Sequence, residues 1–206
     1  ARIAGGVSVD ALRREGAGFV AATNAGDIRA GRIVNAAGPW AARIAAMLGL
    51  TLPVRGAVQP VLVTEAAPTM LRPLVLHAGR RLSLKQGELG HLILGGAWPG
   101  AWDAARGVSR NRRTSIEGNL AVARDVFPAL DRLHLLRAWT GLNVHLDGPP
   151  QIGEDPRCRG LFHAVTFNGW TLAPVLGELI ADAIAGRGAP PAAFLPGTAT
   201  SETTHG

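Results

Sequence analysis

The chain has 206 residues, 47% of them hydrophobic and 17% charged, with a formal net charge of +6, which supplies core material for one or two soluble domains. No apolar run approaches the roughly 18 residues that a membrane span requires, since even residues 33–52 are broken by Asn35, Pro39 and Arg43; nothing at the N-terminus has the grammar of a leader, and a mature cytoplasmic protein is expected. The positive charge does not signal nucleic acid, because basic residues are scattered and aromatics amount to 5%, and the cluster Arg106, Arg110, Arg112 and Arg113 fits a solvated helix face.

Residues 7–12, 19–23 and 27–30 form three short strands joined by the turns at 15–18 and 24–26, a small antiparallel meander. Residues 32–35 make a fourth strand that runs through Ala36-Ala37-Gly38 into a helix over 39–48, with proline at its first position and Gly49 as its cap. Gly38 has no Cβ and its two neighbours only methyls, so a flat or phosphorylated molecule can lie against the backbone there.

From residue 51 the grammar changes. Strands at 54–64, 74–76, 81–85 and 91–95 precede a helix over 109–126 and a returning strand at 133–144. That order predicts an antiparallel sheet inserted between two parts of an α/β domain, an α/β (α+β) architecture with segments 1–50, 51–146 and 147–186. Residues 187–206, rich in Pro, Ala, Gly and Thr, are expected to be a flexible tail.

Residues 160–186 combine an apolar strand (161–165), a turn at Asn168-Gly169, and a helix whose Leu172, Val175, Leu176, Leu179, Ile180, Ala183 and Ile184 recur at helical spacing. A helix that begins on a glycine turn offers unpaired N–H groups and a positive dipole end to an anionic ligand. The same pattern also describes an ordinary strand-turn-helix of an α/β core. The lone Cys158 excludes an internal disulfide and a cysteine-built metal cage. His77, His91, His134 and His163 have no partner at ligand spacing and read as structural, so no metal site is expected.

Three stretches, IVNAAGPWAARIAAMLGLTLPVRG, LRAWTGLNVHLDGPPQIG and GLFHAVTFNGWTLAPVLGELIADAI, together resemble the carboxyl-terminal part of the D-amino-acid oxidase superfamily. The pattern is that of glycine oxidase and sarcosine oxidase, flavin-dependent enzymes acting on amines and amino acids. The resemblance implies a partial FAD-binding, Rossmann-like domain (1–50 and 147–186) with an inserted antiparallel substrate-binding domain (51–146), and FAD as cofactor. Residue by residue, it implies that the strand holding Val9 contacts the adenine and that the turn at Ala37 and Gly38 closes over the dinucleotide. It places the loop Asp147–Gly153, similar to the family's D-G-x-P-x-I-G, beside the flavin, and sets Asn168, Gly169, Trp170, Thr171 and Leu172 against the pyrimidine edge of the isoalloxazine.

Two departures qualify that pattern. Glycine oxidase-like proteins carry a carboxylate-binding arginine after W-x-G-L, whereas Trp139-Thr140-Gly141-Leu142 is followed here by Asn143. Arg81 and Lys85, on one face of the strand RLSLKQ that the family places across the substrate cavity, are the replacements; Arg81 reads equally as a surface residue beside Arg80, and Lys85 is the only lysine of the chain. Asn143 and His145 share a strand face and are further candidates, although a solvated edge position explains them too. The second departure is the lack of a G-x-G-x-x-G between strand and helix, the fingerprint that seats the FAD pyrophosphate; Gly95–Gly100 has the wrong spacing.

The expectation is therefore the distal half of an FAD-dependent oxidoreductase that oxidises the C–N bond of a small amino acid or secondary amine by hydride transfer to flavin N5. About 160 residues carrying the fingerprint would precede it if a domain of ordinary size is involved, or a flavin-bearing subunit would supply it. The alternative is a non-catalytic subunit or remnant that docks on such a partner.

Overall fold

Alternating side chains and tight turns generate the first sheet. In the computed structural model, which describes residues 1–197, β1 (Val9–Glu15), β2 (Gly18–Thr23) and β3 (Gly26–Ala30) form an antiparallel meander. Its register is broken by a bulge between Val9 and Ala11. Phe19 of β2 is buried with Cys158 and Leu161, which seats the meander on the next sheet.

That sheet has three strands in the order β12-β13-β4: β4 (Ile33–Asn35) runs parallel to β13 (Leu161–Val165), and β12 (Gln151–Glu154) pairs antiparallel with β13 on its other side. The Pro/Gly-rich loop read from the sequence at 147–153 thus continues into a strand. Both parallel strands turn into helices at their C-terminal ends, the end of an α/β sheet at which ligands bind.

After β4 a single 3-10 turn, Gly38–Trp40, leads into α1 (Ala41–Ala46). The continuous helix expected from residue 39 is divided in two, and the side chain of Asn35 bonds the Ala37 N–H and the Ala41 carbonyl on either side of the 3-10 turn. Its end closes around Gly49 with the paired N–H returns of a Schellman turn, Gly49 to Ala46 O at 3.0 Å and Leu50 to Ala45 O at 3.1 Å.

After β13, α3 (Gly169–Ala185) lays Leu176 and Ile180 on Ile152 and Phe162. Residues 187–197, expected to belong to a loose tail, instead return to the sheet. Pro190 is buried, and Pro190 and Leu195 sit over Gly153, whose φ of +117° and lack of a Cβ make room for them; a Cβ there would lie 2.8 Å from Leu195 Cδ2. The remaining nine positions of that expected tail, 198–206, lie outside the described residues.

These elements make up one compact unit, residues 1–56 with 144–197; Ala57–Asn143 forms the second. The second unit is built on an antiparallel sheet in the order β11-β5-β8-β7-β6, from β5 (Val54–Ala66), β6 (Val75–His77), β7 (Leu82–Gln86), β8 (His91–Gly95) and β11 (Leu135–Leu146). The period of two puts Leu62, Leu82, Leu84, Leu92 and Leu94 on one face, where Val122 and Ala123 of α2 (Arg113–Val126) cover them.

The helix expected from residue 109 starts four residues later. Ser109 and Arg110 belong instead to a hairpin of β9 (Ala101–Asp103) and β10 (Val108–Arg110), in which Asp103 holds both Arg106 and Arg110. The periodicity of 109–126 is that of the helix, but pairing and charge claim its first residues for the strand. Among the described residues no helix is long and apolar enough to cross a membrane.

Candidate active site

The turns that follow β4 and β13 are neighbours because Phe162 stands opposite Val34 and His163 opposite Asn35 in the parallel register. On the β13 side, α3 begins at Gly169 with no side-chain cap from Asn168, and its first closing bond is Leu172 N–H to Asn168 O at 3.0 Å. The amides of Gly169, Trp170 and Thr171 therefore have no carbonyl ahead of them within the helix, the arrangement that receives negative charge. Nothing lies within 4 Å of where a Gly169 Cβ would stand.

The side chains around this helix start are apolar and face solvent. Trp170 is 98% exposed, Val175 55%, Phe167 48% and Leu172 38%. Two turns later the helix buries Leu176 and Ile180 in the ordinary way. Among the described residues the first two turns of this helix thus leave an apolar patch uncovered. The outer edge of β4 is likewise unpaired among the described residues, with Val34 exposed.

On the β4 side, Gly38 has φ +54°, and the nearest atom to a Cβ there would be Val144 Cγ2 at 3.8 Å. Its glycine is required by the backbone more than by a neighbour. Ala37 donates its N–H to Asn35 Oδ1 at 3.3 Å. Val9, half-buried opposite Thr23, begins the separate meander. Gly153 is occupied on its open side by the chain's own Pro190 and Leu195.

Gln151, Asn35 and Asp155, which carry no motif of their own in the sequence, are buried in the same unit. Gln151 is buried in β12 and donates to Pro149 O, while its Oε1 has no partner among the described residues. Asp155, also fully buried, accepts two hydrogen bonds from the Arg157 guanidinium, one from the Arg157 backbone N–H, and lies 3.2 Å from His163 Nε2. Burial pushes this carboxyl up, but the Arg157 hydrogen bonds and charge outweigh it and leave Asp155 below its ordinary value. Burial holds His163 below the ordinary histidine value, with Asp155 opposing only in part. The signal for these residues was their position: polar side chains in or directly after short strands that are buried have to find partners.

In the second unit, Arg81 and Lys85 do not share a strand face. Arg81 precedes β7 in the left-handed region at φ 56°, with its carbonyl accepting Trp98 Nε1–H at 2.7 Å. Lys85 lies within β7 on the face away from Leu82 and Leu84, opposite Ile93, and is exposed. Its side chain has no hydrogen bond or ion pair among the described residues. Asn143 of β11 donates to Gln59 Oε1 at 3.4 Å. His145, farther along β11, is committed to Asp147 at 3.2 Å.

A parallel strand pair whose C-terminal turns lead into helices, joined in one chain to an antiparallel sheet covered by one helix, makes this a mixed α/β fold with antiparallel sheets. The model of the FAD dependent oxidoreductase family matches residues 1–183, and the chain belongs to that family. It is 32% identical over 183 residues to a glycine oxidase of Geobacillus kaustophilus (strain HTA426), covering 84% of this chain and 45% of the relative. It is also 32% identical over 169 residues to one subunit of the opine oxidase of Rhizobium meliloti, covering 82% and 43%. The crystal structure of glycine oxidase from Geobacillus kaustophilus superposes with a TM-score of 0.83 at 26% identity, over 95% of this chain and 53% of that one. The chain thus spans about half the length of the relatives it matches, and the family's cofactor is FAD.

Proposed function

We propose that this chain supplies the flavin-facing and substrate-facing half of an FAD-dependent oxidoreductase that oxidises the C–N bond of a small amino acid or secondary amine. The observation that carries the reading is the uncapped, apolar-collared start of α3 beside the turn after β4. The residues present fit the cofactor. Free amides at 169–171 suit the electron-rich edge of a flavin, the exposed Phe167, Trp170 and Leu172 suit a flat ring, and Gln151 Oε1 is a buried acceptor lacking a donor among the described residues. When bound, FAD would supply the electron sink, taking hydride at N5 from the substrate α-carbon.

The chain's own contribution is orientation and charge. The α3 dipole and first-turn amides favour negative charge at the ring, and the turn at Ala37 and Gly38, with the strand of Val9, holds the dinucleotide. In the second unit Lys85 is the better carboxylate anchor, because it stands uncommitted on the open face of its sheet, whereas Arg81 is turned off the strand. The partner this reading calls for is a fingerprint-bearing half that adds a strand to the edge of β4 left unpaired among the described residues, whether on the same polypeptide or on another subunit.

Asn143 at the usual arginine position favours a second reading, a non-catalytic subunit docked on a flavin-bearing partner. The two separate in one experiment: the complete protein, loaded with FAD and given glycine, sarcosine or related amines without oxygen, loses its visible flavin absorbance if this half is catalytic and keeps it if this half only docks.

A further inference from the structure

Asn35 and His163 face each other across β4 and β13, both buried, with Asn35 Nδ2 3.2 Å from His163 Nδ1. The surrounding bonds fix every proton. Asn35 Nδ2 also donates to Ala41 O at 2.9 Å, and Asn35 Oδ1 accepts the Ala37 N–H. Rotating the amide by half a turn would set its oxygen against the Ala41 carbonyl and its NH2 against the Ala37 N–H, so the amide has one orientation. His163 Nδ1 must then be a bare acceptor. Its Nε2–H donates to Asp155 Oδ2, which Arg157 also holds.

We propose that His163 is the positioning residue of the turn after β4: as the neutral Nε2–H imidazole it locks Asn35 onto Ala37 and Ala41, and uptake of a proton at Nδ1 unlocks that turn. A proton on Nδ1 would meet the Asn35 NH2, donor against donor. Relief by rotating Asn35 breaks its bonds to both Ala37 and Ala41. Asp155 and Arg157 are the charged groups acting on the imidazole; the first favours the proton, the second and burial oppose it. The lock itself stands on this geometry alone. Its consequence, that FAD is held less tightly when His163 is protonated, rests on the functional reading above. By linkage, bound FAD in turn resists that protonation.

The test is amide hydrogen exchange at residues 36–41 of the full-length protein, corrected for intrinsic rate, followed as pH is lowered through and below the ordinary histidine range. Protection is expected to fall about fivefold, the equivalent of one lost hydrogen bond. In His163→Gln, whose amide offers a donor to Asp155 and an acceptor to Asn35, protection is retained and the step vanishes. Nitrogen NMR of the wild-type imidazole gives a second readout that needs no variant: Nδ1 unprotonated and Nε2 protonated at neutral pH. A protonated Nδ1, an exchange profile without a step, or a step that persists in His163→Gln overturns the proposal. FAD binding measured alongside is read separately. If flavin fails to bind at any pH the functional reading falls, while the exchange step still decides the lock.

Discussion

His163 Nε2 lies 3.2 Å from Asp155 Oδ2, and neither side chain exposes any surface. Arg157, which is partly exposed, reaches in to the same carboxylate at 2.8 Å and extends its NH1 to Thr51 O at 3.2 Å. The segment after β12 is thereby tied to β13 and to the stretch before β5. A buried carboxylate bound from two sides is costly to remove, because its partners stay behind. Asp155→Ala is expected to lower unfolding free energy by about 3 kcal/mol or more, and Asp155→Asn, which keeps the shape, by about 1–3 kcal/mol. Denaturant titration at neutral pH measures both.

The same pair sets an acid limit. His163 titrates below the ordinary histidine value in the folded chain, so the unfolded chain binds the proton first. Its contribution is complete above the ordinary value of 6.5 and is lost as pH falls through its lower folded value. Asp155, also depressed, contributes above its ordinary value of 3.8 and loses that on further acidification. Denaturation midpoints should therefore decline in two stages on the acid side, and His163→Gln should erase the upper stage alone. A midpoint that rises on acidification would contradict this sign.

Gly153 and Gly38 both have positive φ, but their surroundings differ. A Cβ on Gly153 would lie 2.8 Å from Leu195 and 3.2 Å from Pro190, whereas one on Gly38 would meet only Val144 at 3.8 Å. Gly153→Ala should cost about 2–3 kcal/mol and speed proteolysis within 187–197. Gly38→Ala should cost only the left-handed strain of about 1–2 kcal/mol while weakening FAD binding. Thermal melts with and without flavin separate the two effects.

Along α3 the two ends should respond oppositely. Ile180, 5% exposed against β12 and β13, should lose about 2–5 kcal/mol of stability when changed to alanine. Trp170, at 98% exposure, should lose almost none in the same substitution, yet Trp170→Ala should reduce FAD affinity several-fold.

For the substrate end, Lys85→Met should raise KM for a carboxylate-bearing amine at least tenfold with little change in melting temperature, the value of about one charge-assisted hydrogen bond. Arg81→Met should leave KM unchanged. The reverse order would move the anchor to Arg81.

Much of this architecture was legible in the sequence where one signal ruled. Residues 161–165 and 91–95 are apolar or alternating runs bounded by glycine, and β13 and β8 occupy those positions. The C-terminal closure at Gly49 followed from local chemistry. Where two signals competed, the sequence misled: Ser109 carried helical periodicity but pairs with Trp102, and Arg81 continued the alternation of RLSLKQ but is held left-handed, its carbonyl taken by Trp98. The long-range partners were out of reach altogether. Pro190 and Leu195 over Gly153, or Asn35 beside His163, depend on contacts across many residues that composition and period do not encode.

The most direct test of the central claim is flavin absorbance of the full-length protein, or of this chain co-expressed with a fingerprint-bearing half, titrated with FAD and then with small amines in the absence of oxygen. The expected result is a yellow protein whose visible absorbance is bleached by glycine, sarcosine or a close analogue, with the bleaching weakened in Lys85→Met. A protein that stays colourless in excess FAD would contradict it.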